Sequence, residues 1–310
     1  MKTNKREKHE IERYREKART VIEHHFEGVK KLKYLSSGLT NFVFGCSVKE
    51  GDFIIRISPD PHRLNQFIKE QWAVNAAKAE GIPVAEILEV GSELIGSPYM
   101  VTRKIDGEDS INHPNRLKVI KELGTLAAKI NKIKTKGFGG TFDWSDNKLS
   151  KCGTFEEWLY GEFAAEEKLS LLRKHRLLTP AGSKAIEKIF AKARKSRLPP
   201  VLNHGDLRLK NVIADKDGKI LAVIDWEGCT SNLPHAWELS IALHDLGIDA
   251  KQLFIEGYGI TPKKLRDLVP LIRAYNITNY ATAVDAIAKD KRLREYYRLR
   301  IDGTFDLYSI

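Results

Sequence analysis

Cysteine is scarce in this chain: Cys46, Cys152 and Cys229 are the whole complement, widely scattered and without the close spacing of a metal site. Such a chain is expected to carry reduced thiols and to work in the cytoplasm. No run approaches the ~20 apolar residues that cross a bilayer, so no spanning helix and no membrane partner are expected. The first 27 residues mix Lys, Arg and Glu around no apolar stretch, which argues against a secretory signal. There is no internal repeat and no low-complexity tract. There is also no βαβ alternation with a Gly-rich strand-to-helix turn, which sets aside Rossmann and P-loop folds. Acid is in deficit: 52 Lys and Arg against 41 Asp and Glu leave a formal charge of +11. The bases mostly alternate with acids along helical stretches and do not interleave with aromatics. Nucleic acid is therefore a disfavoured partner, and attraction of a polyphosphate explains the charge more simply.

What is present is the make-up of a globular protein. With 42% hydrophobic and 30% charged residues, 310 residues suffice for two domains or lobes. Residues 5–26 read as one amphipathic helix, with Ile11, Tyr14, Ala18, Val21 or Ile22, and Phe26 on one stripe. Short β runs follow, KLKYLS, NFVFGCSV and DFIIRIS, separated at Gly38 and at Glu50-Gly51-Asp52. A helix is expected from Pro61 to Glu80, closed by Gly81 and Pro83. VAEILEVG and SPYMVTRKI then complete a five-stranded antiparallel sheet. Beyond Asp106-Gly107 the pattern is mostly helical. Residues 114–133 carry Leu117, Ile120, Leu123, Leu126, Ala127 and Ile130, and an insert has helical stretches at 154–174 and 180–196. Residues 201–225 are strand-like, and residues 234–300 return to helix. The layout is α+β: a small sheet lobe with its leading helix over residues 1–104, then a larger helical lobe over residues 105–310.

The densest chemistry lies in VLNHGDLRLKNVIADKDGKILAVIDWEG, residues 201–228. Asp206 stands five residues ahead of Asn211 and nineteen ahead of Asp225. Phosphoryl transfer needs a carboxylate at the acceptor hydroxyl and oxygen ligands for Mg²⁺, because positioning and charge neutralisation do most of the work. An Asp on a tight loop, an Asn at the end of that loop and an Asp after the next hairpin strand meet this need. Singly, each would pass for a loop polar; together, at this spacing, they point to one site. In the strand DFIIRIS, Ile54 and Arg56 share a face by the two-residue period. Arg56 sits among isoleucines, and Glu70 on the following helix fits as its partner.

HGDLRLKN followed by IDWE resembles the catalytic and metal loops of the aminoglycoside phosphotransferase and choline kinase family, relatives of the protein kinases. The likeness runs from Tyr34 to Asp245. It implies a two-lobed protein-kinase-like fold, ATP or GTP as phosphate donor, Mg²⁺, and a small-molecule hydroxyl as acceptor. Carried over by residue, Asp206 is the catalytic base, Asn211 and Asp225 are the Mg²⁺ ligands, His204 braces the loop and Arg208 faces the transferred phosphate. The segment from Ser36 to Phe42 is similar to the family's phosphate-covering turn, where Gly38 permits close backbone approach and Asn41 caps the turn. Arg56 takes the place of the nucleotide-contacting lysine, and Ile54 roofs the adenine. The segment from Tyr99 to Gly107 resembles the hinge, with the backbone at Arg103 and Ile105 meeting the adenine edge and Ile213 and Ile224 packing below it.

The chain also departs from the family pattern. Arg56 stands where many relatives have Lys, and Asn131 where many have His. A Gly-Asp-Pro run common in relatives is replaced by Thr230 to Glu238, with Glu238 or Asn232 as the expected stand-in for the Asp. For the acceptor, an aminoglycoside leads. Residues 227–310 balance eleven acids with eleven bases, Glu227 lies just past Asp225, and Glu156, Glu157, Glu162, Glu166 and Glu167 crowd one stretch of the insert. A metabolite kinase acting on choline, ethanolamine, homoserine or a sugar is the alternative. For a choline-type cation, Trp144, Trp158, Trp226, Trp237, Tyr275 and Tyr280 are available as a cage, although tryptophans at helical spacing are more often core. A catalytically silent binding protein is opposed by the presence of base, both metal ligands and the strand cation. Oligomeric state is not encoded in any of these features.

Overall fold

Alternation and helical periodicity build the first part of the chain. A computed structural model describes residues 5–35, 41–143, 148–244, 246–284 and 290–304. Helix α1 (Lys5–His25) buries Tyr14, Ala18, Val21 and Ile22, one residue every three or four, as a single stripe. Strands β1 (Lys31–Leu35), β2 (Phe42–Val48) and β3 (Gly51–Ile57) form an antiparallel meander. Helix α2 (Arg63–Ala79) ends where Gly81 turns left-handed at φ +69° and its N–H bonds back to Lys78 O. Strands β4 (Ile87–Gly91) and β5 (Tyr99–Arg103) complete a five-stranded sheet of order β1-β2-β3-β5-β4. One sheet face carries Phe44, Cys46, Val48, Phe53, Ile55, Ile57, Tyr99 and Val101 into a core shared with α1. The alternate residues of β3, Ile54 and Arg56, therefore point to the opposite face.

A short strand β6 (Glu108–Asp109) precedes α3 (Arg116–Ile130). Ile120, Leu123, Leu126, Ala127 and Ile130 are buried as the pattern predicts, but Leu117 is 56% exposed. Its steps of three from Ile120 and Leu123 drift around the helix, whose period is about 3.6, and carry it off the core side. Strands β7 (Phe142–Asp143) and β8 (Lys148–Leu149) pair beside α4 (Phe155–Tyr160), α5 (Ala165–Lys174) and α6 (Pro180–Ala193). The helical stretch expected over 154–174 is thus two helices. Thr154 and Glu157 close a capping box on α4, and Ala164 takes a left-handed φ of 53° before α5 starts.

Strand β9 (Val201–Asn203) leads into the motif-bearing loop, which ends in a 3-10 turn at Leu209–Asn211. Strands β10 (Val212–Ala214) and β11 (Ile220–Val223) form the expected hairpin, closed by Asp215 Oδ1, which accepts from Asp217 N and Lys219 N at 2.9 Å each. Then follow β12 (Thr230–Asn232), antiparallel to β9, and helices α7 (Ala236–Ala242), α8 (Ile248–Tyr258) and α9 (Pro262–Asn279). A last helix spans Lys291–Thr304. Two glycines let α3 and α8 meet backbone to backbone. A Cβ on Gly124 would lie 2.1 Å from Phe254 O, and one on Gly257 would lie 1.9 Å from Lys121 O.

The chain divides into two compact units. One comprises the residues up to Asp109 together with Val212–Glu227; the other comprises Ser110–Asn211 together with the chain from Gly228 onward. The β10–β11 hairpin belongs to the first through pairing of Ile213 with Asp109 and donation by Val223 N to Pro83 O. No helix among the described residues is long and apolar enough to cross a membrane. Cys46, Cys152 and Cys229 are all free thiols.

Candidate active site

In the larger unit, the loop after β9 is shaped by a glycine and a buried acid. Gly205 has φ +76°, a conformation L side chains rarely adopt, and a Cβ there would lie 2.0 Å from Gly228 O. His204 is fully buried; its Nδ1 accepts from Asp206 N at 3.3 Å, and its own N–H donates to Glu238 Oε2 at 2.5 Å. Glu238, in the first turn of α7, also accepts from Gly205 N. Burial pushes its carboxyl up to about 7, with Asp206 adding to the rise and the two backbone N–H groups opposing it. Of the two expected stand-ins, Glu238 therefore holds the loop, whereas Asn232 Oδ1 accepts from the neighbouring Leu233 N at 2.8 Å. Asn131 ties the same region together. Its Nδ2 donates to Leu202 O at 3.0 Å, and its Oδ1 accepts from His235 N at 3.1 Å and Tyr258 OH at 2.6 Å.

Asp206 is half-buried and surrounded by donors. Arg208 Nε lies 2.6 Å from Oδ1, while Lys210 Nζ at 2.7 Å and Asn211 Nδ2 at 2.9 Å reach Oδ2. Burial alone would raise its pKa, but Lys210 and Arg208 outweigh burial and hold the carboxyl below its ordinary value. Lys210 was not singled out from the sequence, although it stands inside LRLKN, one helical turn beyond Asp206. The Asn211 amide nitrogen also donates to Asp206 O at 2.8 Å, so it is committed to the loop and its oxygen is the atom suited to a cation. A cavity of about 200 Å³ opens at Asp206 and Arg208, and Ser240, Ile241, His244, Asn276, Asn279 and Tyr280 form its far wall, mostly apolar surface with polar groups set into it. Of that wall, only Tyr280 is among the residues to which the sequence points.

The smaller unit holds the other candidates. Arg56 Nη2 donates to Glu70 Oε1 at 2.6 Å, as the sequence predicts, and its guanidinium lies 5.5 Å from the Phe67 ring centroid. Burial lowers the Arg56 pKa, but Glu70, then Asp225 and Glu227, overcome it and leave the guanidinium above its ordinary value. The carboxylates of Asp225 and Glu227 thus lie in the field of Arg56. Asp225 follows β11 with a left-handed φ of 64°, and buried Trp226 braces the turn through Nε1 to Val223 O at 3.0 Å. Glu227 is exposed, 3.5 Å from Arg63. Arg103 N is used in the sheet, donating to Glu86 O at 2.8 Å, and Lys104 N donates to Asp52 O at 2.9 Å. The backbone leaves the sheet at Ile105, which is half-buried like Ile54, Ile213 and Ile224. Gly107 packs so closely that an added Cβ would lie 2.6 Å from Ile213 Cγ2. Asn41 is half-buried just ahead of β2, while Gly38 falls outside the described residues. An amide oxygen at Asn211 and a carboxylate at Asp225 are hard oxygen donors, the set that suits Mg²⁺.

A five-stranded antiparallel sheet with two helices, joined to a helical unit that presents an HGD loop, defines a protein-kinase-like small-molecule phosphotransferase. The model of the phosphotransferase enzyme family APH matches residues 31–269, and the chain belongs to that family. Among solved structures, an apo thermostable mutant of aminoglycoside phosphotransferase APH(4)-Ia has 18% identity and a TM-score of 0.67, covering 92% of this chain and 97% of that one. A ternary complex of a thermostable mutant of the same enzyme with AMP-PNP and hygromycin B has 17% identity and a TM-score of 0.66, covering 92% and 96%. Macrolide 2′-phosphotransferase MphH from Brachybacterium faecium is similar at 13% identity and a TM-score of 0.56, covering 93% and 96%. No curated protein sequence matches the chain.

Proposed function

We propose that this chain transfers the γ-phosphoryl group of ATP or GTP, with Mg²⁺, to a hydroxyl of a small molecule in the cytoplasm. The observation that carries the reading is the Asp206 carboxylate, held on a glycine turn by His204 and Glu238 and touched by Arg208, Lys210 and Asn211. Asp206 orients the acceptor hydroxyl and takes its proton as the new O–P bond forms and the bond to the β,γ-bridging oxygen breaks. Mg²⁺, held by Asn211 and Asp225, would supply charge neutralisation to the phosphates. Arg208 and Lys210 pair with Asp206 without ligands and turn to phosphate oxygens when nucleotide is bound. Arg56, fixed by Glu70, contacts the nucleotide phosphates. Gly38 and Asn41 shape the phosphate-covering turn. Ile54, Ile213 and Ile224 enclose the base, whose edge meets the backbone at Ile105 beyond Arg103. A functional division after Lys104 leaves Gly38, Asn41, Ile54, Arg56 and Arg103 before it, and Ile105, Ile213 and Ile224 after it together with the catalytic and acceptor contacts.

Two acceptor classes stand open. An aminoglycoside is the class named for the APH(4)-Ia structures; a metabolite such as choline, ethanolamine, homoserine or a sugar is the other. Mg²⁺ titration tests the ligand assignment. Asp225→Ala should abolish transfer and raise the Mg²⁺ requirement sharply, and Asn211→Ala should do so more mildly; wild-type Mg²⁺ dependence in either variant removes that ligand.

A further inference from the structure

We infer that the acceptor is an uncharged polyhydroxy compound on the scale of a monosaccharide, recognised by Asn276 and Asn279, with His244 beside them, in the cavity at Asp206. This rests on the phosphotransfer reading and adds to it the charge, size and specificity residues of the acceptor.

Charge comes first. A polycation needs a wall of carboxylates to replace the water it loses. Among the described residues lining the cavity, Asp206 is the sole carboxylate, and it is the group that the acceptor hydroxyl itself occupies. The glutamates of the insert are committed elsewhere: Glu156 to Arg194 at 2.8 Å, Glu157 to the Thr154 cap, and Glu162 to Gly140 N at 2.6 Å and Thr141 Oγ1 at 3.0 Å. Glu166 and Glu167 are exposed in the first turn of α5, and none of the five lines the cavity. A quaternary ammonium would want an aromatic cage instead. Trp158, Trp226 and Tyr275 are at most 3% exposed, and Trp158, Trp237 and Tyr275 pack edge-to-face in the core. Only the Tyr280 ring among the described aromatics reaches the cavity, with its hydroxyl 3.2 Å from His244 Nε2.

The wall is mostly apolar surface, Ile241 and the Tyr280 ring among it, with the side-chain amides of Asn276 and Asn279 set into it. Asn276 is only 9% exposed, lines the cavity, and its side-chain amide makes no hydrogen bond to another described residue. Asn279 lies one turn further along the same face of α9. An amide offers two donors and an acceptor, the complement of neighbouring sugar hydroxyls, which do both. Ser240 is fully buried behind these amides, its hydroxyl donating to Trp237 O at 2.7 Å. The volume, about 200 Å³, falls below the roughly 300–1,000 Å³ of drug-sized sites, so a single sugar ring fits within it whereas a larger ligand would extend outside.

The test uses the purified full chain with Mg²⁺ and ATP or GTP. Acceptors are offered as matched sets: a neutral hexose, the amino sugar with one hydroxyl replaced by an ammonium, and the uronic acid. Pentoses, polyols, nucleosides, choline and aminoglycosides accompany them, and phosphorylated product is read by mass spectrometry. A neutral compound should exceed its charged counterparts at least about tenfold in kcat/KM. Asn279→Asp should raise KM for that acceptor at least about tenfold, hold kcat within about threefold and leave Tm unchanged; Asn276→Asp should do the same to KM and kcat at a lower Tm, because its carboxylate would be nine-tenths buried. Preference for a cation or an acid, or a KM indifferent to both substitutions, overturns the inference and leaves the phosphotransferase reading standing. Transfer to no compound at all overturns both.

Discussion

Arg56 and Asp206 are both charged residues whose charge is answered by a neighbour, but in opposite senses. Arg56 is buried against Glu70 with only 17% of its side chain exposed, so the pair is inseparable without leaving a charge in a poor solvent. Removing one member of such a pair costs about 3–5 kcal/mol, and Glu70→Ala should lower Tm and nucleotide affinity together. Arg56→Lys should restore nucleotide binding only partly, because an ammonium cannot reproduce the guanidinium fork; unaltered affinity in Arg56→Ala would remove the residue from the nucleotide site. Asp206 is instead a carboxylate that Lys210 and Arg208 hold below its ordinary pKa. It stays ionised at every pH near neutrality, so its acid limb in kcat/KM lies below the usual carboxylate value. Lys210→Ala removes a stabilising cation, and the acid limb should move to higher pH in a pH–rate profile. An unmoved limb would separate Lys210 from the base.

At the scale of elements, backbone contact sets what can change. Gly257→Ala drives a methyl to within 1.9 Å of Lys121 O, and α3 must part from α8. The cost should be at least about 1–3 kcal/mol in denaturant unfolding. Gly247→Ala, in open space ahead of α8, is the control and should be nearly neutral. The sheet was legible in the sequence because alternation at Phe53, Ile55 and Ile57 fixes both strand and face. The Arg56–Glu70 contact followed from it, since an arginine among isoleucines has few places to go. The break at Gly161–Ala164 was not legible: the residues on both sides suit a helix, and the bend is held by Glu162 reaching Gly140 N, which has no periodic signature. Nor was the acceptor wall. Asn276 and Asn279 have the spacing of a solvated helix face, and only tertiary packing turns that face to Asp206.

For the molecule as a whole, two buried groups give stability opposite pH slopes. Glu238 is raised from 4.5 to about 7 by burial, so the folded state binds the proton more tightly, and its contribution is full below pH 4.5 and lost as pH rises toward 7. His235 is lowered from 6.5 to about 4 by burial and Lys264, so its contribution is present above pH 6.5 and lost as pH falls toward 4. Between pH 4.5 and 6.5 the two oppose each other. Glu238→Gln should therefore leave a stability that rises with pH across that window, measured by urea unfolding; a fall would contradict the assignment. The loop that Glu238 supports is the one the proposed chemistry depends on. The most direct measurement is single-turnover γ-phosphoryl transfer by Asp206→Asn beside the unaltered protein, with nucleotide affinity measured on both. The account predicts transfer slower by at least about a hundredfold with nucleotide binding essentially unchanged, and transfer at the wild-type rate in the variant would contradict it.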